Sequence, residues 1–311
     1  MAWLQLIRWK NLVIIFLTQL LAWWCVLLPG HNTLPIGTEP LLNTTNFLLL
    51  SLSTVLIAAA GYIINDYFDI RIDLKNKPEK VVVGKVISSR TSIIAHTVLN
   101  VAALLMAGYV AMQAHHYEWP LLQVGCTLLL WIYSTTLKRR YIIGNIAISL
   151  LTALTIVTLM AYEPTLQEHE SGSIPGSLPV WVLSVYAYFA FMLTWIREIV
   201  KDMEDMDGDE SEGCDTLPIR KGLQFATLFT MGLSLLVMLP LIAATFYLFR
   251  FGFNLLGYYI IVALVVPMVI WCMYIGRGFT ARHYAKASRG LKVIMLLGIL
   301  SLLLYYYQSS L

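Results

Sequence analysis

The chain has 311 residues, of which 59% are hydrophobic and 13% are charged, and its formal net charge is +3. A soluble globular domain carries about 25% charged residues and roughly half apolar ones. This composition excludes a soluble enzyme, a disordered protein and a nucleic-acid-binding domain. The long continuous apolar runs also exclude an outer-membrane barrel, whose strands alternate over roughly ten residues. The sequence therefore predicts an all-α, polytopic membrane protein.

Nine runs of about 20 apolar residues, each long enough to cross the hydrocarbon core, follow one another along the chain. We predict these spans at residues 11–30, 45–65, 89–112, 119–137, 142–161, 180–200, 223–249, 255–275 and 292–308. Because the spans use the whole length, we expect a single transmembrane domain covering residues 1–311.

The basic residues predict the orientation of these spans. If the N-terminus lies in the cytoplasm, 20 of the 21 Lys and Arg residues fall on the inner side, and only Arg250 falls outside. Short cytoplasmic loops of membrane proteins are enriched in Lys and Arg. We therefore expect a multi-pass protein of the cell (inner) membrane with a cytoplasmic N-terminus.

Acidic residues gather at the inner ends of two spans. The second span ends in a cluster that contains Asn65, Asp66, Asp69 and Asp73. At about 100° per helical residue, Asn65, Asp69 and Asp73 fall within roughly 80° of arc, and Asp66 widens this to about 100°. This cluster therefore places a stripe of oxygen ligands on one helical face.

A second stripe is predicted at the inner end of the sixth span. Glu198, Asp202, Asp205 and Asp209 fall within roughly 60° of arc, provided that Gly208 does not end the helix early. The two clusters are four spans apart, so both helices descend to the same side of the membrane. The two stripes are expected to face each other across one cavity.

Such stripes need a cation. Like charges at positions i and i+4 repel each other, and ionisable groups near membrane depth are costly and usually functional. Arg71, Arg197 and Lys201 cannot balance both stripes. Ligand sets made only of oxygen atoms suit Mg²⁺, which typically binds a few carboxylates together with substrate phosphates. The sequence therefore predicts a magnesium site.

The two acidic clusters resemble the motifs of a known family. Asn65-Asp66-x-x-Asp69-x-x-x-Asp73 resembles the first Asp-rich motif of the UbiA superfamily of intramembrane prenyltransferases, and Asp202-x-x-Asp205-x-x-x-Asp209 resembles the second. The likeness extends to the nine-span count and to Asn76-Lys77-Pro78, Lys138 with Gly144-Asn145, and Gly213-x-x-Thr216-Leu217-Pro218.

The resemblance implies a fold and a set of site residues. Nine helices would surround a central cavity open to the cytoplasmic side, with cytoplasmic cap loops at about 66–90 and 201–222. Mg²⁺ ions held by the two motifs would bind the diphosphate of a prenyl donor. The metal ligands carried over are Asn65, Asp69, Asp73, Asp205 and Asp209. The catalytic carboxylates carried over are Asp66, Asp69, Asp202 and Asp205, and the candidates for direct diphosphate contact are Arg71, Lys77 and Lys138. Many members of the family have an arginine where this chain reads Glu79-Lys80. In this chain, the positive charge of that arginine is supplied by Lys80 or Lys85, or it is absent.

Several acceptors remain open. The stretch from Arg197 to Asp209 is similar to members that prenylate a glycerol-phosphate lipid, which favours a prenylglycerol phosphate. An aromatic quinone precursor of the 4-hydroxybenzoate or naphthoate type is the alternative, followed by haem- or chlorophyll-type acceptors. The expected partners are a prenyl diphosphate, a hydrophobic acceptor and membrane lipid, with no nucleic acid and no protein partner. A secondary transporter would hold its ionisable site near the bilayer midplane, whereas these acids gather at the inner ends.

Overall fold

The computed structural model describes residues 1–31, 40–76, 78–163 and 178–310. The α-helices are α1 Ala2–Leu6, α2 Trp9–Ala22, α3 Leu28–His31, α4 Thr44–Phe68, α5 Ile70–Asn76, α6 Ser89–Gln113, α7 Pro120–Thr135, α8 Ile143–Ala161, α9 Leu178–Ser211, α10 Leu217–Lys221, α11 Leu223–Arg250, α12 Asn254–Ile260, α13 Val266–Ile275 and α14 Ala281–Ser309. Short π-helical turns, Trp23–Leu27 and Ile261–Val265, join α2 to α3 and α12 to α13. Two-residue strands, β1 Arg140–Tyr141 and β2 Asp215–Thr216, pair in parallel.

Eight helical segments of the described chain are long and apolar enough to cross a membrane. They are Trp9–Gly30, Thr44–Phe68, Ser89–Gln113, Ile143–Ala161, Leu178–Ser211, Leu223–Arg250, Asn254–Ile275 and Ala281–Ser309. The remaining predicted span, 119–137, corresponds to α7, which has 16 residues. At 1.5 Å per residue this helix is about 24 Å long, shorter than the roughly 30 Å hydrocarbon core. The all-helical membrane fold is confirmed for eight spans, and the count of nine stays a prediction.

Side-chain caps fix the starts of three of the spanning helices. The side chain of Asn43 accepts a hydrogen bond from the backbone of Asn46 at the start of α4. Ser88 caps α6 and Thr280 caps α14 in the same way. Thr280 places the start of α14 at Ala281, eleven residues before the apolar run predicted at 292–308. The first turns of α14 carry Arg282, Lys286 and Arg289, so the hydropathy of the sequence did not include them in the predicted span.

Two further differences concern the predicted cap loops. Helix α9 runs through Gly208 to Ser211, so the first half of segment 201–222 is helix and not loop. In segment 66–90, Val82, Val83 and Ile87 are buried against Leu6 and Ile63. Gly84, with φ of +83°, allows the tight turn in which its N–H donates to the carbonyl of Ile87. This segment therefore has a small apolar core of its own, which hydropathy did not predict.

The chain forms two compact units. The first comprises residues 1–138 and 154–185, and its centre is the packing of α4 against α6 and α7. Small buried residues, Ala59, Ala60 and Ala103 among them, let these helices approach closely. At Gly61 an added Cβ would lie 2.9 Å from the side chain of Leu130. Close helix contact in this unit therefore depends on the absence of side-chain bulk.

The second unit comprises residues 139–153 and 186–311. Its buried apolar core joins residues 192–203 of α9 to the helices from α10 to α14. This core includes Ile196, Leu217, Leu233, Trp271 and Tyr284. The indole N–H of Trp271 donates to the carbonyl of Ala287 at 2.9 Å. Both units leave large apolar side chains exposed along their helices, such as Leu105 and Phe246, as expected of surfaces that face lipid.

A polar network crosses the apolar interior of the first unit. His96 is buried, and its Nδ1 lies 3.0 Å from the carbonyl oxygen of Ala60. If Nδ1 carries the proton, Nε2 accepts from the amide of Asn100 at 3.2 Å. The hydroxyl of Thr127 donates to Asn100 at 3.5 Å, which extends the network to α7. The network therefore links α4, α6 and α7 through groups that have no water to replace their partners.

We expect His96→Leu to lower the free energy of unfolding in mixed micelles by about 1–3 kcal/mol, because the buried amide of Asn100 loses its acceptor. The double variant His96→Leu/Asn100→Leu should cost little more than the single one, since both partners then become apolar. His116→Leu, at a half-exposed histidine, should change stability by less than about 0.5 kcal/mol. Additive losses in the double variant would contradict the network.

Candidate active site

The first acidic motif spans a break between two helices. Helix α4 ends at Phe68, and Asp69 caps it with its N–H bonded to the carbonyl of Asn65 at 3.0 Å. The N–H of Asp73 in α5 bonds in turn to the carbonyl of Asp69 at 2.8 Å. These bonds keep the i, i+4 spacing across the break. Asn65, Asp69 and Asp73 are therefore stacked one turn apart, as the sequence predicted.

Asp69 is the most buried carboxylate of this motif, with 3% of its surface exposed. The amide of Asn65 donates to its Oδ2 at 2.6 Å, and the ammonium of Lys138 forms an ion pair with the same oxygen. Burial, with the negative charge of Asp69, raises the pKa of Asp73 to about 6. Asp73 therefore lies in a half-buried site next to the negative charge of Asp69.

Asp66 has a different environment. Its Oδ1 accepts a hydrogen bond from Nη2 of Arg8 at 2.7 Å, and the guanidinium lies 5.0 Å from the ring centroid of Tyr62. Arg8 adopts a left-handed backbone conformation, with φ of +51°, between α1 and α2. This conformation is strained for a residue with a side chain. The sequence indicated Arg8 only as an inner-side charge and did not predict this ion pair.

The second motif lies within one continuous helix. Asp202, Asp205 and Asp209 all belong to α9, and Asp209 is buried with 7% of its surface exposed. The amide of Asn145 in α8 donates to Oδ2 of Asp202 at 2.8 Å. The sequence pattern includes Asn145 but does not specify Asp202 as its partner.

The chain after α9 returns to the segment before α8. Gly213, with φ of +73°, follows the end of the helix, and Asp215 and Thr216 then pair with Arg140 and Tyr141. Arg220 lies over the ring of Tyr141 at 4.9 Å. These contacts join the polar ends of α8 and α9, where Asn145 meets Asp202.

Of the three basic residues predicted to contact the diphosphate, the structure shows one paired with a carboxylate of the acidic motifs. Lys138 forms an ion pair with Asp69, and its contact with a diphosphate stays a prediction. Arg71 is exposed. Lys77 lies outside the described residues, and so does the side chain of Lys80.

The donor atoms of the two motifs fit Mg²⁺. They are carboxylate and amide oxygens with no soft ligand among them, the set that Mg²⁺ prefers. In the described chain, no three His, Cys, Asp or Glu side chains lie close enough together to hold an ion by themselves. Mg²⁺ commonly needs only one or two carboxylates, with waters and substrate phosphates completing its shell. The carboxylates of Asp69 and Asp73, one helical turn apart, suit a cation that binds together with a phosphate group.

Comparison with known proteins identifies the family. A sequence profile of the UbiA prenyltransferase family matches residues 20–300. The digeranylgeranylglyceryl phosphate synthase of Methanothermobacter thermautotrophicus is 32% identical over 254 residues, which cover 81% of this chain and 83% of the relative. The enzyme of the same name from Thermococcus sibiricus is 28% identical over 88% of each chain.

Solved structures show the same fold. A structure of a digeranylgeranylglyceryl phosphate synthase has a TM-score of 0.66 at 22% identity and covers 99% of this chain and 98% of its own. A UbiA homologue from Archaeoglobus fulgidus, bound to GPP and Mg²⁺, has a TM-score of 0.59 at 15% identity and covers 97% and 99%. The profile match and the 32% identical relative show that this chain belongs to the UbiA prenyltransferase family and is a membrane-spanning prenyltransferase.

Proposed function

We propose that the chain transfers a prenyl group from a prenyl diphosphate to a hydroxyl of a prenylglycerol phosphate. The bond between the prenyl carbon and the diphosphate oxygen breaks, and a bond from that carbon to the acceptor oxygen forms. Diphosphate and the hydroxyl proton are released. The observation that carries the proposal is the 32% identity, over 81% of this chain, to a digeranylgeranylglyceryl phosphate synthase.

Both acidic motifs are proposed to bind the donor diphosphate with Mg²⁺. The ligands would be Asn65, Asp69 and Asp73 of the first motif and Asp205 and Asp209 of the second. When bound, Mg²⁺ supplies positive charge that stabilises the departing diphosphate without a proton. The proposal is supported by the oxygen-only donor set and by the Archaeoglobus fulgidus homologue, which was solved with GPP and Mg²⁺.

The neighbours of the carboxylates have orienting roles in this proposal. Lys138 holds Oδ2 of Asp69, so Oδ1, which bonds to no other side chain in the described part of the chain, is left for a cation. The ammonium of Lys138 can also contact the diphosphate. Asn145 holds Asp202, and Arg8 holds Asp66, each through one oxygen. We therefore assign Asp66 and Asp202 to positioning the two motifs, and Asp69 and Asp205 to direct contact with the cation. Arg71 and Lys77 remain candidates for diphosphate contact.

The apolar interior completes the proposed mechanism. An allylic carbon that loses diphosphate gains positive charge, and water would capture it, so the reacting carbon needs a chamber that excludes water. We propose that the polar ends of the helices with segments 66–90 and 201–222 face the cytoplasm and cover such a chamber. The basic residues on that side of the predicted topology support this orientation.

An acceptor screen tests the proposed function. The purified protein in lipid nanodiscs, with Mg²⁺ and radiolabelled geranylgeranyl diphosphate, should label a prenylglycerol phosphate. It should not label 4-hydroxybenzoate or a dihydroxynaphthoate, and chelation of Mg²⁺ should abolish transfer. A labelled aromatic product without a labelled glycerol-phosphate lipid would overturn the assignment.

Two neighbouring carboxylates of α9 provide a matched test of the metal ligands. Asp205→Asn should lower kcat/KM by more than about 100-fold, because even partners that only support metal ligands typically contribute 10–100-fold. Asp207→Asn removes an exposed carboxylate about 160° around the same helix and should lower it less than about threefold. Asp69→Asn should resemble Asp205→Asn. Equal activity of the two α9 variants at saturating Mg²⁺ would remove Asp205 from the site.

Thiol labelling tests the orientation. In a background without the four native cysteines, Lys80→Cys and Glu212→Cys should react with impermeant reagents only from the cytoplasmic side, whereas Glu170→Cys and Arg250→Cys should react only from outside. The reason is the distribution of Lys and Arg among the predicted loops. If Lys80→Cys and Glu212→Cys react from opposite sides, the two motifs cannot share one substrate.

A further inference from the structure

The first charged turn of α9 carries a compact group of ions. No charged residue occurs from Leu178 to Ile196, and Arg197 then begins the polar half of the helix. Nη1 of Arg197 donates to Oε1 of Glu198 at 2.9 Å, and Nζ of Lys201 donates to Oε2 of Glu198 at 2.8 Å. Glu198 is only 8% exposed, and the side chain of Arg197 is 23% exposed. Glu198 therefore holds the guanidinium in one orientation at the boundary of the apolar segment.

The opposite edge of the guanidinium makes no hydrogen bond to the residues that the structure describes. Nε of Arg197 is buried and has no hydrogen-bond partner among the described residues. A guanidinium offers its donors in a rigid planar fork, and Nε with Nη2 forms an edge that matches two oxygens of a phosphate. A buried donor on a charged group is costly to leave unpaired. The geometry therefore indicates that a ligand supplies the acceptor.

A second buried donor lies on the same face, one turn deeper. The hydroxyl of Thr194 is buried and also has no partner in the part of the chain that the structure describes. Thr194 precedes Arg197 by three residues, so the two side chains are about 60° apart around the helix, with Cβ atoms about 5–6 Å apart. Helical threonines commonly bond to the carbonyl four residues earlier, as Thr158 does here. Thr194 and Arg197 thus form a small donor site at the end of the apolar half of α9.

This donor site adjoins the second acidic motif without overlapping it. Asp205 lies about 80° around α9 from Arg197 and about 12 Å farther along its axis. The five acidic residues between positions 202 and 209 of α9 would repel an anion unless a cation accompanies it. The fork of Arg197, by contrast, can bind an anion directly. Two phosphate-bearing substrates can therefore occupy different levels of the same helix.

We propose that Arg197 and Thr194 bind the phosphate of the acceptor lipid. Nε and Nη2 of Arg197 and Oγ1 of Thr194 donate to its oxygens, and Glu198 keeps the guanidinium in place. The prenyl chain of the acceptor extends along the apolar half of α9, and its free hydroxyl points toward the carboxylate end. The inference rests on the proposed function, because it names the acceptor end of the same site.

The test compares two acceptors that differ only in the phosphate. Initial rates are measured in nanodiscs with a prenylglycerol phosphate and with the same prenylglycerol lacking the phosphate. Arg197→Gln should raise the KM for the phosphate acceptor about 10- to 100-fold, the effect expected for a charged hydrogen-bond donor. The KM for prenyl diphosphate and the rate with the phosphate-free lipid should change less than about twofold. Thr194→Val, which is nearly isosteric, should raise the acceptor KM about 2- to 10-fold, and Arg197→Lys should give an intermediate value.

A binding measurement and a control complete the experiment. The ³¹P signal of the phosphate lipid, titrated without Mg²⁺ and without donor, should shift on addition of wild-type protein and much less with Arg197→Gln. Arg250→Gln, at an exposed arginine in the last turn of α11, should behave as wild type in every assay. If Arg197→Gln does not fold, Thr194→Val and Arg197→Lys carry the test.

The outcomes separate this inference from the proposed function. Transfer to the phosphate lipid with an unchanged preference for phosphate in Arg197→Gln and Thr194→Val would overturn the donor site and leave the proposed function intact. A rise in the KM for prenyl diphosphate alone would assign Arg197 to the donor and overturn the inference. If the wild type neither binds nor prenylates the phosphate lipid, both proposals are wrong.

Discussion

A carboxylate at the end of a membrane-spanning helix must have a cation or hydrogen-bond donors beside it, because the low-polarity surroundings replace water poorly. The chain meets this constraint residue by residue. Lys138 and the amide of Asn65 hold Asp69, Arg8 holds Asp66, and Asn145 holds Asp202. Each of these contacts uses one oxygen of the carboxylate. The three carboxylates are therefore held in one orientation, and Asp69 is buried as well.

The two motifs resemble each other in sequence but are built differently. The first continues its hydrogen-bond register across the junction of α4 and α5, so Asp69 is both a helix cap and a buried ligand candidate. The second lies inside α9, which extends well beyond its apolar half. A short parallel strand pair and the turn at Gly213 then join the end of α9 to the start of α8. The same carboxylate spacing is thus held by two different backbone arrangements.

Polar groups within the membrane-spanning helices also need hydrogen-bond partners, because no water reaches them. His96, Asn100 and Thr127 of α6 and α7, with the carbonyl of Ala60 in α4, form one hydrogen-bond network. Glu198 binds both Arg197 and Lys201, whereas Nε of Arg197 and the hydroxyl of Thr194 have no partner among the described residues. These two donors lie one turn apart on the same face of α9, and one of them belongs to a guanidinium that Glu198 holds in place. This adjacency is the physical basis for assigning them to a ligand.

The sequence by itself determined the membrane class, the positions of eight spans within a few residues in most cases, the stacking of Asn65, Asp69 and Asp73, and the continuation of α9 through Gly208. These features depend on hydropathy and helical periodicity, which are local properties. The start of α14 and the buried turn at Val82 to Ile87 were missed, since amphipathic turns and small satellite cores leave weak hydropathy signals. Only the tertiary structure decided that Arg8 pairs with Asp66, that Asn145 holds Asp202, and that one edge of Arg197 is left without a partner. Those outcomes depend on which side chains from distant parts of the chain meet, and neither spacing nor composition specifies such contacts.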